Sequence, residues 1–184
     1  MSSYSLSPFG RRMLLAASAA VGLLTAARRS DAQDGTKDGK TGPRPHQPGE
    51  AAFGAVLPEE IDWQPFPAFP PSARLAVVVG DPSRPGPYTI RVKVPKGVKL
   101  APHRHPEDRV YTVISGVFYI GLGDRFDESR LRAYPPGSVI VLPGDTAHFH
   151  WAMSGEYVSQ VSGIGPLGLD YLDPHDDPRR QNRG

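Results

Sequence analysis

The chain has 184 residues, enough for one domain of ordinary size, and its 20 glycines and 21 prolines favour strands and turns over long helices. The absence of cysteine excludes a disulfide framework, a cysteine-based zinc finger, a thiol nucleophile, an iron–sulfur cluster and a lipid-modified cysteine anchor. Residues 1–32 hold four arginines against one acid and the remainder carries 17 basic against 18 acidic residues, so the net charge of +2 gives no electrostatic basis for binding nucleic acid or an anionic membrane.

The first 32 residues have the pattern of an export signal. An apolar run over residues 13–27 follows Arg11 and Arg12, and it is too short for a membrane span but typical of a signal-peptide core. The small residues Ser30 and Ala32 predict cleavage after Ala32, with an uncleaved anchor helix as the alternative. The paired arginines resemble a twin-arginine signal, although general secretory signals also carry them. We therefore expect a bacterial protein that is periplasmic or secreted and that has no membrane contact after signal removal.

Polar segments flank the predicted folded body. Residues 33–56 are predicted to be a disordered tether, because the stretch to residue 50 contains no large apolar side chain, and His46 within it is expected to be solvated. Residues 57–73 contain five prolines and three aromatic residues, which predicts an extended segment packed on the body. The tail over residues 173–184 is polar and is predicted to fray. The folded domain is therefore expected over residues 57–172.

The body is predicted to be a single all-β domain. β-branched and aromatic runs alternate with Gly, Pro and Asp at the even spacing of a sandwich or barrel, and there is no internal repeat. Only residues 126–132 have the composition for a turn of helix. The predicted strands are residues 76–80, 88–95, 109–115, 117–121, 138–142, 148–153 and 157–162.

Two histidine-containing segments carry the strongest chemical signal. In the first, Gly97 precedes His103 and His105, and the segment closes at Gly116. In a strand, a spacing of two places both imidazoles on one face. The second segment runs from residue 137 to His148. Four of the six histidines fall in these two regions, which favours a shared site over the alternative of polar surface histidines.

The two segments resemble the motifs of the cupin superfamily. The first motif of that family is Gly, five residues, His-x-His, a short gap, an acid, six residues and Gly. The second is Gly, five residues, Pro-x-Gly, two residues, His, three residues and Asn. The match covers about residues 74–165, with 20 residues between Gly116 and Gly137. The resemblance implies a single-domain double-stranded β-helix, the jelly-roll barrel, with a metal ion held inside. It also implies that the chain could pair as a homodimer.

The departures from the family pattern define the expected ligand set. The acid of the first motif is replaced by Arg109, and Glu107 lies close by but in the wrong register for a strict replacement. Asp145 stands where the second motif has a glycine, and Ala152 stands where it has an asparagine. The resemblance therefore implies a metal site of three histidines without a carboxylate: His103, His105 and His148.

Such a site implies a catalytic metal rather than a structural one. Three imidazoles on one side of an ion leave its other side open to water, oxygen or substrate. Three-histidine sites of this kind look like those of cysteine dioxygenase and the acetylacetone-cleaving dioxygenase, which favours one Fe(II) ion, with Zn, Mn, Ni or Cu as alternatives. The site would carry the full charge of the ion, which favours a small anionic chelating substrate.

Three functions remain open from the sequence. The leading one is an exported metal-dependent dioxygenase that acts on a small anionic organic molecule. The first alternative is an isomerase, lyase or hydrolase that uses Zn or Mn as a Lewis acid. The second alternative is a non-catalytic module that binds metal or a small molecule, since one fold hosts many functions.

Strand parity suggests supporting residues. His150 shares the face of His148 and is a candidate for acid/base chemistry or a fourth ligand. In the cupin register Arg109 points inward and could clamp a substrate carboxylate, or a bulge turns it outward to pair with Glu107 or its neighbour. Tyr111 could donate a hydrogen bond to a bound anion or belong to the core. Gln160 could be an inward polar group near the metal or an outward surface residue.

Overall fold

The computed structural model describes residues 45–181, in which the fold is built almost entirely from ten β-strands. The predicted signal in residues 1–32, residues 33–44 of the predicted tether and residues 182–184 of the predicted tail lie outside the described residues. In chain order the strands are β1 (Arg74–Val79), β2 (Gly86–Val94), β3 (Lys99–Arg104), β4 (Arg109–Ser115), β5 (Phe118–Leu122), β6 (Arg132–Tyr134), β7 (Val139–Leu142), β8 (His148–Trp151), β9 (Tyr157–Gly165) and β10 (Asp170–Tyr171).

Helical structure in the described residues is limited to short segments. The predicted helical turn at residues 126–132 appears as a single 3₁₀ turn, in which the Asp127 carboxylate accepts from the Ser129 backbone N–H. No helix within residues 45–181 is long and apolar enough to cross a membrane. The helical segments are the 3₁₀ turns Pro58–Glu60, Glu128–Arg130 and Pro174–Asp176, and the helix α1 (Pro178–Gln181).

The strands form two five-stranded antiparallel sheets. One sheet has the order β1-β2-β9-β4-β7 and the other has the order β10-β3-β8-β5-β6. In β2 and β9 every second side chain is buried, because successive residues of a strand point to opposite faces and only one face meets the core. Side chains from both sheets, among them Ile90 and Phe118, join one buried cluster. The prediction of a single all-β jelly-roll domain is confirmed.

The strand predictions were accurate where the runs are long and apolar. The structure places a strand in all seven predicted regions, and it adds β3, β6 and β10. β3 has the sequence KLAPHR, which contains a proline and no β-branched residue. β6 and β10 are three and two residues long, and β6 pairs with β5 while β10 pairs with the distant β3.

The segments that flank the barrel pack on it. Residues 45–56 were predicted to be part of a tether, but His46 forms a bridge with Val79 and its carbonyl accepts from the Gly80 N–H at 2.8 Å. The extended segment over residues 57–73 packs as predicted, since Phe69 is buried in the core. The tail was predicted to fray, but Arg179 donates to the Leu169 carbonyl at 3.0 Å, so its first part is docked on the barrel.

Two turns explain why the motifs need particular residues. Gly116 has φ of +69°, and a Cβ at this position would lie 2.1 Å from the Glu156 carbonyl oxygen, so only glycine fits. Asp145, which replaces the motif glycine, has φ of +58°. Aspartate is one of the few residues that adopts this left-handed conformation, and the Asp145 N–H donates to the His105 carbonyl at 2.7 Å.

Candidate metal centre

The three predicted ligands meet because β3 pairs with β8. His103 lies in β3 directly opposite His148 at the start of β8, and His105 follows the end of β3. All three side chains are buried. Their ring centroids are 4.2 to 5.1 Å apart, and one nitrogen from each lies within 4.8 Å of the others. The three histidines therefore form a group that can bind a metal ion.

Backbone carbonyls fix the orientation and the tautomer of each imidazole. The Nδ1 atoms donate to three carbonyl oxygens: His103 to Ala101 at 2.7 Å, His105 to Gly168 at 2.7 Å and His148 to Thr146 at 2.8 Å. A carbonyl can only accept, so the proton lies on Nδ1 and the Nε2 lone pair is free. The Nε2 atoms of His103 and His148 are buried and have no hydrogen-bond partner among the described residues. Divalent transition-metal ions bind imidazole nitrogens, so these Nε2 atoms are suitable metal ligands.

The three imidazoles are neutral at physiological pH. Burial lowers the pKa of His103 well below 6.5, and the neighbouring His148 lowers it further. Burial and the Arg109 charge likewise lower the pKa of His105 far below its usual value. Burial lowers the pKa of His148 to about 4, against a smaller opposing effect of the hydrogen bond to Thr146. Metal binding therefore does not require a proton to be removed from any of them.

Arg109 lies inside the barrel and is already paired. Its Nη2 lies 2.6 Å from Glu107 Oε1, its Nε donates to the same oxygen at 2.9 Å, and both side chains are buried. The Tyr88 hydroxyl donates to this Glu107 oxygen at 2.8 Å. The inward position predicted for Arg109 and the pairing predicted with Glu107 therefore occur together. Two of its three nitrogens are engaged by the protein, so the fork is not free to clamp a substrate carboxylate as predicted.

Gly168 connects this ion pair to the metal centre. Its carbonyl accepts from His105 Nδ1 and also from Arg109 Nη2 at 2.9 Å, while its N–H donates to Glu107 Oε2 at 3.1 Å. Glu107 is thus a supporting residue for the His105 orientation rather than a ligand. Nothing in the sequence indicates the role of Gly168 or of Tyr88, because both are brought to the site by pairing of distant strands.

A small cavity lies against the histidines. Its volume is about 10 Å³, which is room for about one water molecule. Tyr111 and His150 line it, as strand parity predicted, and His150 Nε2 is buried without a partner. His150 does not join the three histidines as a ligand within the same distance limit. Tyr157 and Ser159 also line the cavity, and the alternation of β9 could have identified them.

Gln160 does not reach the site. It is half-buried between the buried Ser159 and Val161, on the opposite face of β9, and its Oε1 accepts from Arg91 Nε at 3.1 Å. Of the two alternatives left open for Gln160, the structure therefore shows the outward one. Parity groups the residues that share a face of a strand, but it does not say which face meets the core.

Comparison with known proteins identifies the fold. No family model and no curated protein matches the chain. Among solved structures, the polyketide cyclase RemF from Streptomyces resistomycificus has a TM-score of 0.57 at 15% identity, over 72% of this chain and 94% of its own. An RmlC-like cupin protein from Ralstonia eutropha has a TM-score of 0.52 at 21% identity, over 68% of this chain and 76% of its own. These likenesses and the histidine cluster at the motif positions show that this chain has the cupin fold.

Proposed function

We propose that this chain is a metal-dependent dioxygenase that acts on a small organic anion. The observation that carries the proposal is the donor set, which consists of three buried neutral imidazoles with no carboxylate among them. His103, His105 and His148 would hold a ferrous ion through their Nε2 atoms. A ferrous ion supplies the redox chemistry and the open coordination positions that reactions of molecular oxygen require.

The charges around the site support an anionic substrate. The histidines are neutral, and the charge of Arg109 is balanced by Glu107 at 2.6 Å. The charge of a divalent ion would therefore have no compensating group among the side chains that line the cavity. Burying an uncompensated charge is costly, and a substrate anion would relieve that cost. The cavity of about 10 Å³ has room for about one water molecule, so it would admit only a single oxygen atom of a substrate.

Oxygen consumption tests this function directly. The chain would be reconstituted with iron and supplied with hydroxy-acids, β-diketones and thiols, and dissolved oxygen would be followed with an electrode. We expect uptake with at least one of these classes, none with the zinc-loaded protein and none with the His103→Ala variant. A His46→Ala variant, altered far from the cavity lining, would retain activity. Absence of uptake with every class in protein of full iron content would contradict the proposal.

A second candidate is a Lewis-acid enzyme that uses Zn or Mn for isomerisation, elimination or hydrolysis. The phenols of Tyr111 and Tyr157 on the cavity wall support it, because they could carry a proton to or from a substrate. In this case the native metal would be Zn or Mn, and turnover would proceed under nitrogen. Stoichiometric binding of metal and small anions without any turnover would instead support a non-catalytic binding protein.

We also infer that the chain is exported to the periplasm or beyond. The apolar run over residues 13–27 and the preceding Arg11 and Arg12 support this inference. The mature protein recovered from a bacterial periplasm would begin at Gln33. Replacing both arginines with lysine would retain the chain in the cytoplasm if the twin-arginine route is used, and would leave export unchanged if the general route is used. An intact N-terminus on cytoplasmic protein would contradict export.

A further inference from the structure

Besides Nε2 of the ligand His103, two polar atoms of the cavity wall have no hydrogen-bond partner among the described residues. They are the Tyr157 hydroxyl, on a side chain that is 1% exposed, and Nε2 of His150. Both rings contact Phe118, with centroids at 4.9 Å and 4.8 Å respectively. Buried polar atoms without a hydrogen-bond partner are rare in folded domains, because each one destabilises the fold. A pair of them on one cavity indicates a place where a ligand atom binds.

The two residues lie beyond the metal centre. The His150 ring centroid is 5.0 Å from that of His148 and 5.3 Å from that of His103. The ring of Tyr157 packs against Phe118 and makes no ring contact with the three ligand histidines. Tyr157 and His150 line the same cavity as His103 and His105, so one molecule could contact both residues and a metal ion held by the histidines.

We propose that Tyr157 and His150 form the far end of the substrate site and bind an uncharged oxygen, a carbonyl or hydroxyl, of the same anion whose charged end faces the three histidines. This inference rests on the proposed function, because it takes the metal as the partner of the charged end. The substrate class it names is an oxo- or hydroxy-monocarboxylate, in preference to a dicarboxylate.

The surroundings of Tyr157 support an uncharged group. Burial and the neighbouring Tyr111 raise the pKa of Tyr157 well above its usual value, so its hydroxyl keeps a proton to donate. Among the residues that line the cavity, Arg109 is the only one with a permanent charge, and Glu107 already pairs with it. A second carboxylate at this end would be buried without a free cation, which is unfavourable.

Binding of three matched acids to the zinc-loaded full chain tests the proposal. The probes are 3-hydroxypropionate, propionate and malonate, which differ at the end distant from the first carboxylate. We expect 3-hydroxypropionate to bind about fivefold more tightly than propionate, because one additional hydrogen bond has about that effect on affinity. Malonate should bind more weakly than either. In Tyr157→Phe the preference for 3-hydroxypropionate over propionate should disappear. A Tyr119→Phe control, whose side chain lies on the opposite face of β5 from Phe118, should keep it.

Thermal unfolding of the metal-free protein separates this proposal from the proposed function. If Tyr157 has no partner without substrate, Tyr157→Phe should melt at the wild-type temperature or above it. Melting several degrees below Tyr119→Phe would mean that the hydroxyl has a structural partner, which would overturn the proposal. Equal binding of hydroxypropionate and propionate by the metal-loaded wild type would also overturn it. Failure of the wild type to bind zinc would contradict the metal centre on which the proposed function rests. The Tyr157 site would then stand only if 3-hydroxypropionate raises the melting temperature of the metal-free wild type but not that of Tyr157→Phe.

Discussion

Arg109 forms a buried ion pair with Glu107, at 2.6 Å, in the position where the resembled cupin motif has an acid. The Glu107 carboxylate therefore pairs with a guanidinium, and it is not a member of the metal-binding group. Both partners also bind Gly168, whose carbonyl orients His105. The pair thus has a defined structural role, which is to fix the loop that supports one of the three ligands.

Glu107→Gln should destabilise the protein and weaken metal binding. The substitution leaves the Arg109 charge buried without its counterion, which costs about 3–5 kcal/mol in unfolding free energy. Loss of support for His105 should lower zinc affinity by about 10- to 100-fold. Urea unfolding and zinc titration would measure the two effects. The control is Glu128→Gln, which breaks an exposed pair with Lys99 and should cost about 1 kcal/mol or less. Equal stability of the two variants would contradict this role for Glu107.

The stability of the metal-free protein should fall in mild acid. The pKa of His148 is lowered by burial from 6.5 to about 4, so between these values the unfolded chain binds more protons than the folded one. The histidine contribution is therefore complete above pH 6.5 and is lost progressively as the pH falls towards 4. For His148 alone the loss is about 3 kcal/mol. Urea unfolding across this range would measure the slope, and a free energy of unfolding that does not change with pH would contradict it.

Asp145→Gly should stabilise the fold. Asp145 has φ of +58°, a conformation that costs a residue with a Cβ more than it costs glycine. The opposing entropy of glycine in the unfolded chain leaves an expected gain of about 0.5 kcal/mol. The hydrogen bond from its N–H to the His105 carbonyl should persist, so zinc affinity should not change. Urea unfolding beside an Asp124→Gly control would test this, and a loss of stability would show that the Asp145 side chain has a role of its own.

The sequence predicts this site where its geometry is local. The His-x-His spacing and the glycine-bounded segments identify the three ligands, because residues two apart on a strand share a face. Parity also places Tyr111 and His150 on the inner face, and both line the cavity. It leaves both faces open for Gln160, since the choice of inner face depends on packing against other strands, including the contact with Arg91 of β2.

Contacts between residues that are far apart in the chain could not be predicted from residue spacing. Gly168 is 63 residues from His105, and Tyr88 is 19 residues from Glu107, and the contacts exist only once the sheets have formed. The same holds for β6 and β10, whose two or three residues have no strand signal of their own. The inward position of Arg109 and its pairing with Glu107 were predicted as alternatives. Both occur, because a buried cation needs its counterion inside the barrel.

The metal content of the purified chain tests the central claim most directly. The wild type, His148→Ala and His150→Ala would each be incubated with ferrous iron without oxygen, or with zinc, desalted and examined by elemental analysis. We predict about one ion per chain in the wild type and in His150→Ala, and no ion in His148→Ala. Absence of metal from the wild type after this treatment, or retention of a full equivalent by His148→Ala, would contradict a metal centre built from His103, His105 and His148.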